Sequence, residues 1–267
     1  MDRAEVTGFT ILPGILIGNV TVRQANRDTL VPSLTTRYGI TNRLEVEAKV
    51  PFVYRNDTTI GRPVGEPASA DLLSSASGSD IGDVELALHY QINSGGGGWP
   101  FLVGNLRLKA PTGSDPFEVA RDPVTGVELE LPTGTGFWSV QPSLTAIFPS
   151  DPAVLFANLN YTWNMKRTIG GIYGVVDPGD SIGASLGLGL ALNDKLSVSA
   201  SYDHSIVMKT RQNGEYSPVA STLQLGTLLF GGSYRFSDKS SISLTIGTGI
   251  TEDAPDLRVS IRYPYTF

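Results

Sequence analysis

The sequence has no cysteine, only two histidines and few charged residues, and each shortage narrows the class of protein. Without cysteine a disulfide scaffold is excluded. Charged residues occupy 17% of the 267 positions, whereas soluble domains have roughly 25%. So little charge, with 40% hydrophobic residues, also excludes a disordered acidic chain. A net charge of −6 gives no reason to expect a nucleic-acid partner.

Long hydrophobic runs are missing as well. No stretch reaches the ~18 consecutive apolar residues of a transmembrane helix. The start of the chain also lacks the charged and apolar regions of a signal peptide. We therefore expect a mature or trimmed form if the protein is exported.

What the sequence does contain is a period of two. In residues 44–54 the apolar side chains alternate with Glu45, Glu47 and Lys49, which is typical of a strand with one apolar and one polar face. The same alternation returns at 84–92, 153–164, 182–192, 196–202 and 257–267. No stripe with helical spacing occurs, so the sequence predicts an all-β chain.

The connections between candidate strands alternate between short and long. The candidate strands are 15–23, 30–40, 44–54, 81–92, 99–110, 137–148, 153–165, 181–192, 196–208, 219–236, 241–250 and 256–267. The short connections are 41–43, 93–98, 149–152, 193–195 and 237–240, and the mostly longer ones are 24–28, 55–79, 111–136, 166–180, 209–218 and 251–255. This alternation predicts a transmembrane up-and-down antiparallel β-barrel over 15–267, with about 12 strands, short periplasmic turns and long extracellular loops.

Aromatic residues fall near both ends of the predicted strands. Tyr38, Trp99 and Tyr263 lie at the short-turn end, and Trp138 and Trp163 lie at the opposite end. Two aromatic girdles around an aliphatic band are expected at a lipid interface. The pattern therefore places the chain in a bacterial outer membrane, with outer-membrane lipids as partners.

The inward positions divide into a charged sector and a neutral one. We predict thirteen pore-lining residues: Arg23, Arg37, Glu45, Glu47, Lys49, Asp83, Glu85, His89, Arg107, Lys109, Arg235, Arg258 and Arg262. The remaining strands offer mainly Ser, Thr, Asn, Gln and Gly. Separate basic and acidic walls would set a transverse field in a water-filled pore. Alternatively, the same residues pair across neighbouring strands and fill a narrow lumen.

Other segments leave alternatives open. Residues 1–14 are interpreted as a lumen plug, a remnant of a periplasmic region or an ordinary terminus. The loops 55–79 and 111–136 either fold inward as constrictions or remain solvated. The run Asp203-His204-Ser205 is no catalytic triad, because neighbours on a strand point to opposite faces. We expect no enzymatic activity, no metal site and no cofactor.

Four segments resemble one family of bacterial outer-membrane proteins. They are YGITNRLEVEAKVPFVYR (38–55), DIGDVELALHYQI (80–92), WPFLVGNLRLKAPTG (99–113) and LPTGTGFWSVQPSL (131–144). They are similar to the MetA-pathway-of-phenol-degradation, or transporter, family. The similarity covers most of the chain and includes two Pro-Thr-Gly motifs, at 111–113 and 132–134.

The resemblance implies two functional alternatives. One branch of that family is the secretion channel of functional-amyloid (Fap) systems, a trimeric barrel of similar size. This branch implies a homotrimer that exports unfolded amyloid-type protein subunits through a polar, charged and gated lumen, which is our main sequence-based prediction. The other branch implies a porin-like channel for small aromatic or hydrophobic compounds.

Overall fold

The structure is a computed structural model, and it describes residues 9–10, 16–17, 22–62, 72–95, 98–120, 129–171, 173–217 and 220–267. Every element within these ranges is a β-strand, as the two-residue period predicts. Among the described residues no helix has the length and hydrophobicity of a membrane span.

The strands, in chain order, number nineteen within the described ranges. The first nine are β1 (Phe9–Thr10), β2 (Leu16–Ile17), β3 (Val22–Leu30), β4 (Ser33–Thr41), β5 (Leu44–Arg62), β6 (Leu72–Ile81), β7 (Val84–Gln91), β8 (Phe101–Ala110) and β9 (Ser139–Pro149). The others are β10 (Ala153–Asn164), β11 (Arg167–Gly170), β12 (Gly174–Asp177), β13 (Ser181–Ala191), β14 (Leu196–Val207), β15 (Arg211–Gln212), β16 (Glu215–Tyr216), β17 (Leu223–Ser237), β18 (Ser240–Gly249) and β19 (Leu257–Arg262).

The wall is an antiparallel meander in which successive long strands are neighbours. Its hydrogen-bonded order is β4, β5, β7, β8, β9, β10, β13, β14, β17, β18 and β19. One face of this sheet leaves large apolar side chains uncovered, with Leu34 73%, Leu186 65% and Ile261 68% exposed. The other face carries most of the polar and charged residues. An exposed apolar belt outside and a polar face inside are the arrangement of a transmembrane barrel, so the predicted fold class is confirmed.

Two predicted loops are wrong, because the strands beside them are longer than the sequence indicated. The predicted loop 24–28 lies within β3, and much of the predicted loop 55–79 lies in β5 and β6. The outer half of β5 pairs with β3 on one side and β6 on the other. These segments form a three-stranded ribbon that extends the wall. Their mostly polar sequences show no apolar alternation, so the sequence predicts them as loops.

Two further predicted loops contain short strands. The loop 166–180 includes the hairpin β11–β12, and the loop 209–218 includes the hairpin β15–β16. The two hairpins join into one four-stranded sheet. Strands of two to four residues give too few alternating positions for a period to be recognised in the sequence.

The N-terminal predictions fall mostly outside the described residues. Within the part that is described, β1 and β2 pair with each other. The predicted first strand 15–23 therefore has only its ends described, in β2 and at the start of β3. The proposed plug over residues 1–14 is not tested, since only Phe9–Thr10 of it is described.

Candidate pore lining and extracellular clasp

The charged side chains of the first strands share the inward face and pair across neighbouring strands. Arg37 on β4 donates to Glu47 on β5, with Nε 2.6 Å from Oε2. Glu85 on β7 receives two cations, Lys49 Nζ at 3.2 Å and Arg107 NH1 at 3.2 Å. Acids and bases therefore pair across neighbouring strands of the same wall, whereas the expectation that they fill a narrow lumen stays a prediction.

A ladder of neutral polar side chains continues from these ion pairs. The His89 Nδ1 lies 2.8 Å from Asn105 Oδ1, and Asn105 Nδ2 donates to Ser143 at 3.1 Å. Farther along the wall, Gln141 Nε2 donates to Thr162 at 2.8 Å, and further bonds tie Asn158 and Asn160 into the ladder. These cross-strand hydrogen bonds fix the amide side chains of the ladder against the wall.

The remaining predicted pore-lining residues are scattered. Arg23 lies opposite Gly61 in the extracellular ribbon rather than in the barrel wall. Arg235 lies at the periplasmic end of β17, opposite Ser241. Arg258 and Arg262 share the inward face of β19, opposite Gly247 and Ser243. Glu45 lies 3.9 Å from Arg37 Nε, and among the described residues no metal-binding cluster occurs.

Sequence reasoning missed a set of apolar side chains on the same inward face. The large apolar residues of the neutral sector include Phe101, Ile147, Phe156 and Leu229, which are cross-strand partners of inward positions. Phe156 alternates in phase with Asn158 and Asn160, whose amides belong to the polar ladder. This alternation was the signal in the sequence that could have identified Phe156 as inward-facing, because every second residue of a strand shares a face.

Asp83 is the centre of a buried hydrogen-bonded cluster at the extracellular end of the wall. It occupies the break between β6 and β7, and its side chain is 6% exposed. Its carboxylate accepts from the amide of Gly113 at 3.2 Å and from the amide and hydroxyl of Thr135 at 2.9 and 2.5 Å. The Lys109 Nζ lies 3.6 Å away and donates to the Thr135 hydroxyl at 2.8 Å. We call Asp83, Thr112–Ser114 and Thr133–Thr135 the clasp.

The two Pro-Thr-Gly motifs pack directly against each other in the clasp. The Thr133 amide donates to the Ser114 hydroxyl at 2.8 Å, and the Ser114 amide donates to the Thr133 hydroxyl at 3.0 Å. The Thr112 hydroxyl bonds Gly82 O at 2.9 Å and receives the Val84 amide at 2.9 Å. The motifs therefore hold both ends of the loop 111–136 against the strand break, and 131–137 are buried.

Glycine is required where the motifs cross. A Cβ on Gly134 would lie 2.6 Å from Asp83 Oδ1 and 2.8 Å from the Gly113 carbonyl carbon. We expect Gly134→Ala to destabilise the clasp by ~1–3 kcal/mol, because added volume in a packed site forces atoms apart. The measurement is hydrogen exchange of the Thr135 amide. Gly232→Ala is the control, since a Cβ there meets no atom within 4 Å; equal exchange in both variants would contradict the prediction.

A small apolar core joins the clasp to the extracellular hairpins. Phe137 and Val176 are buried, and Phe117, Ile169 and Tyr173 pack against them. Arg167 on β11 pairs with Asp115 and donates to Gly136 O at 3.0 Å. The described parts of the loop 111–136 and the β11–β12 hairpin thus pack together as one extracellular cap, and the inward-folding alternative for this loop stays a prediction.

Comparison with known proteins agrees with this architecture. The crystal structure of an outer membrane channel from Pseudomonas putida F1 is similar in fold, with a TM-score of 0.62 and 18% identity, covering 96% of this chain and 88% of that chain. The toluene transporter TodX of Pseudomonas putida is similar at a TM-score of 0.47 and 17% identity, covering 93% of this chain and 70% of that chain.

The family comparison covers most of the sequence. The family profile described as "Putative MetA-pathway of phenol degradation" matches residues 18–262. This confirms the resemblance carried by the four motif segments, whereas the functional-amyloid branch remains a prediction. The chain is an outer-membrane β-barrel that belongs to the MetA-pathway-of-phenol-degradation family.

Proposed function

We propose that the protein is a channel for small aromatic or other hydrophobic compounds in the bacterial outer membrane. The observation that carries this proposal is the set of apolar side chains on the inward face, Phe101, Ile147, Phe156 and Leu229. A lumen for hydrophilic solutes alone gains nothing from such groups, because apolar surface in contact with water is unfavourable. Membership of a family described by phenol degradation supports the same class of solute.

Export of unfolded amyloid subunits is less well supported. The clasp and the apolar core attach residues 112–117 and 131–137 to the extracellular end of the wall, with 131–137 buried. A polar, unfolded polypeptide also gains nothing from the inward apolar side chains. Amyloid export and a homotrimer therefore stay untested predictions.

The test is uptake by intact cells whose outer membrane contains lipopolysaccharide. Cells expressing the protein are expected to take up labelled toluene or phenol at limiting concentration several-fold faster than cells with the empty vector. Phe156→Asn should remove most of the gain, because it replaces an inward ring with a side chain that suits the polar ladder.

The matched control is Phe236→Asn, which changes a phenylalanine that is 53% exposed near the periplasmic turn. It should retain the uptake rate at equal expression. Cells that show no gain over the vector at verified surface expression would refute the proposed function. Export of a secreted unfolded polypeptide by the same cells would instead favour the amyloid alternative.

A further inference from the structure

Four large inward apolar side chains lie in a single cross-strand row of the wall. Phe101 on β8 is opposite Ile147 on β9, which is opposite Phe156 on β10. From Phe156 the cross-strand register continues through the following partners: Gly187, Ser201, Leu229, Gly247 and Arg258. We call Phe101, Ile147, Phe156 and Leu229 the apolar row, and Arg258 ends it.

The small residues within this register leave room for the large ones. A Cβ on Gly187 would lie 2.2 Å from Phe156 Cζ, so the phenylalanine ring lies over the glycine. A Cβ on Gly247 would lie 3.3 Å from Leu229 Cδ2. The large side chains therefore extend over the neighbouring glycines, which shortens the gap along the wall between one apolar side chain and the next.

The row also rises through the barrel. Phe101 is the first residue of β8, directly after a periplasmic turn, and Arg258 is the second residue of β19, directly after an extracellular loop. Barrel strands are tilted to the axis, so a row at right angles to the strands climbs as it passes around the wall. The apolar row is therefore a path from the periplasmic end into the extracellular half.

The neighbouring rows are mainly polar or small. On one side the register runs through Val103, Thr145, Asn158, Ser185, Asp203 and Thr227. On the other side it runs through Gly189, Ser199, Gly231, Thr245 and Ser260. A solute with an apolar body therefore meets the largest inward side chains along the apolar row, while Val103, Val154 and Leu225 add smaller apolar surface on the same face.

The upper end of this track carries the guanidinium of Arg258. On the opposite wall Glu47 is paired with Arg37, and Glu85 is paired with both Lys49 and Arg107. Arg258 and Arg262 make no ion pair with any described residue, although Asp203 is near enough to Arg258 for electrostatic interaction. A guanidinium binds carboxylates well because its planar donors match two oxygens at once.

We propose that the apolar row binds the hydrocarbon part of an amphipathic anion, an aromatic or alkyl carboxylate, while Arg258 binds its carboxylate. This inference rests on the proposed function and specifies its solute class. The ring or chain lies on Leu229 and Phe156, and Arg258 receives the charged end across Gly247. Neutral aromatic compounds use the same row without the arginine contact, and organic cations are disfavoured.

The test compares three probes that share one ring and one substituent carbon: benzoate, benzyl alcohol and benzylammonium. Their binding is measured by equilibrium dialysis at neutral pH with the full chain in lipid nanodiscs, and empty nanodiscs give the background. The protein is expected to bind benzoate about tenfold more tightly than benzyl alcohol, the factor for one charged hydrogen-bonded contact. Benzylammonium should bind most weakly.

Variants separate the two parts of the site. Arg258→Gln should reduce benzoate affinity about tenfold and leave benzyl alcohol unchanged, and Arg258→Lys should restore part of the benzoate affinity. Arg235→Gln is the matched control, because Arg235 lies at the periplasmic end of β17, away from the row, and it should change no probe. Phe156→Asn should weaken all three probes by a similar factor. Circular dichroism of each variant verifies the strand content.

The outcomes also separate this inference from the proposed function. Equal affinity for benzoate and benzyl alcohol, unaltered by Arg258→Gln, would overturn the anion site and leave the hydrophobic channel standing. If Arg235→Gln lost as much benzoate binding as Arg258→Gln, the anion site would be overturned too, because the effect would then come from overall positive charge and not from a contact with Arg258. If no probe bound and cells took up no toluene or phenol, both the anion site and the proposed channel function would be refuted.

Discussion

Replacing Asp83 by alanine is expected to release the extracellular cap while the barrel remains folded. The carboxylate accepts three hydrogen bonds from Gly113 and Thr135, and it is the carboxylate nearest to Lys109, at 3.6 Å, among the described ion pairs. Alanine leaves these donors without their acceptor in a largely buried site. Removing one partner of a buried ion pair costs about 3 kcal/mol at the lower end of the usual range.

Hydrogen exchange of the Thr135 amide measures this opening directly. An opening free energy lower by about 3 kcal/mol corresponds to exchange faster by on the order of 100-fold. Asp80→Ala is the matched control, because Asp80 belongs to the same short motif but is exposed and accepts from the adjacent Ile81 amide. An Asp83 variant that exchanges no faster than the Asp80 variant would show that the clasp does not depend on the carboxylate.

Truncating Phe137 to alanine should have an effect of similar size through packing alone. Phe137 is 2% exposed, and its ring meets the edge of Phe117 with centroids 5.8 Å apart. Phe117 in turn contacts Tyr173 with centroids 5.1 Å apart. Loss of a fully buried phenylalanine costs ~3–5 kcal/mol, and here the loss falls on the junction between the loop 111–136 and the β11–β12 hairpin.

The effect of Phe137→Ala is measured as the rate of cleavage by a protease added to intact cells. The extracellular segments 111–120 and 166–180 should be cleaved faster than in the unmodified protein, because both lose their common core. Phe236→Ala is the control, since Phe236 is 53% exposed near the periplasmic turn and takes no part in the cap. If both variants resist cleavage as well as the unmodified protein, the apolar core does not hold the loops together.

The two-residue period alone predicts the wall of the barrel. Segments such as Leu44–Val50 and 182–192 alternate over enough positions to define both strand and face, and β5 and β13 follow them. The same parity places Glu47, Glu85 and Arg107 on one inward face. The period fails in β3 and β6, where both faces are polar, and in β11, β12, β15 and β16, which are too short to show it.

The sequence by itself determined which residues face the lipid and which face the lumen, because alternation is a local property of an extended chain. It also contained the parity of Phe156 and Leu229, which becomes informative only once the strands are placed in register. Tertiary structure decided that the charged residues pair across strands. It also brought the two Pro-Thr-Gly motifs together beside Asp83, where Ser114 and Thr133 bond each other across 19 positions. Finally, it placed Phe101 and Arg258 at the two ends of one row. These are contacts between distant segments, and cross-strand register and loop packing set them, so no local pattern specifies them.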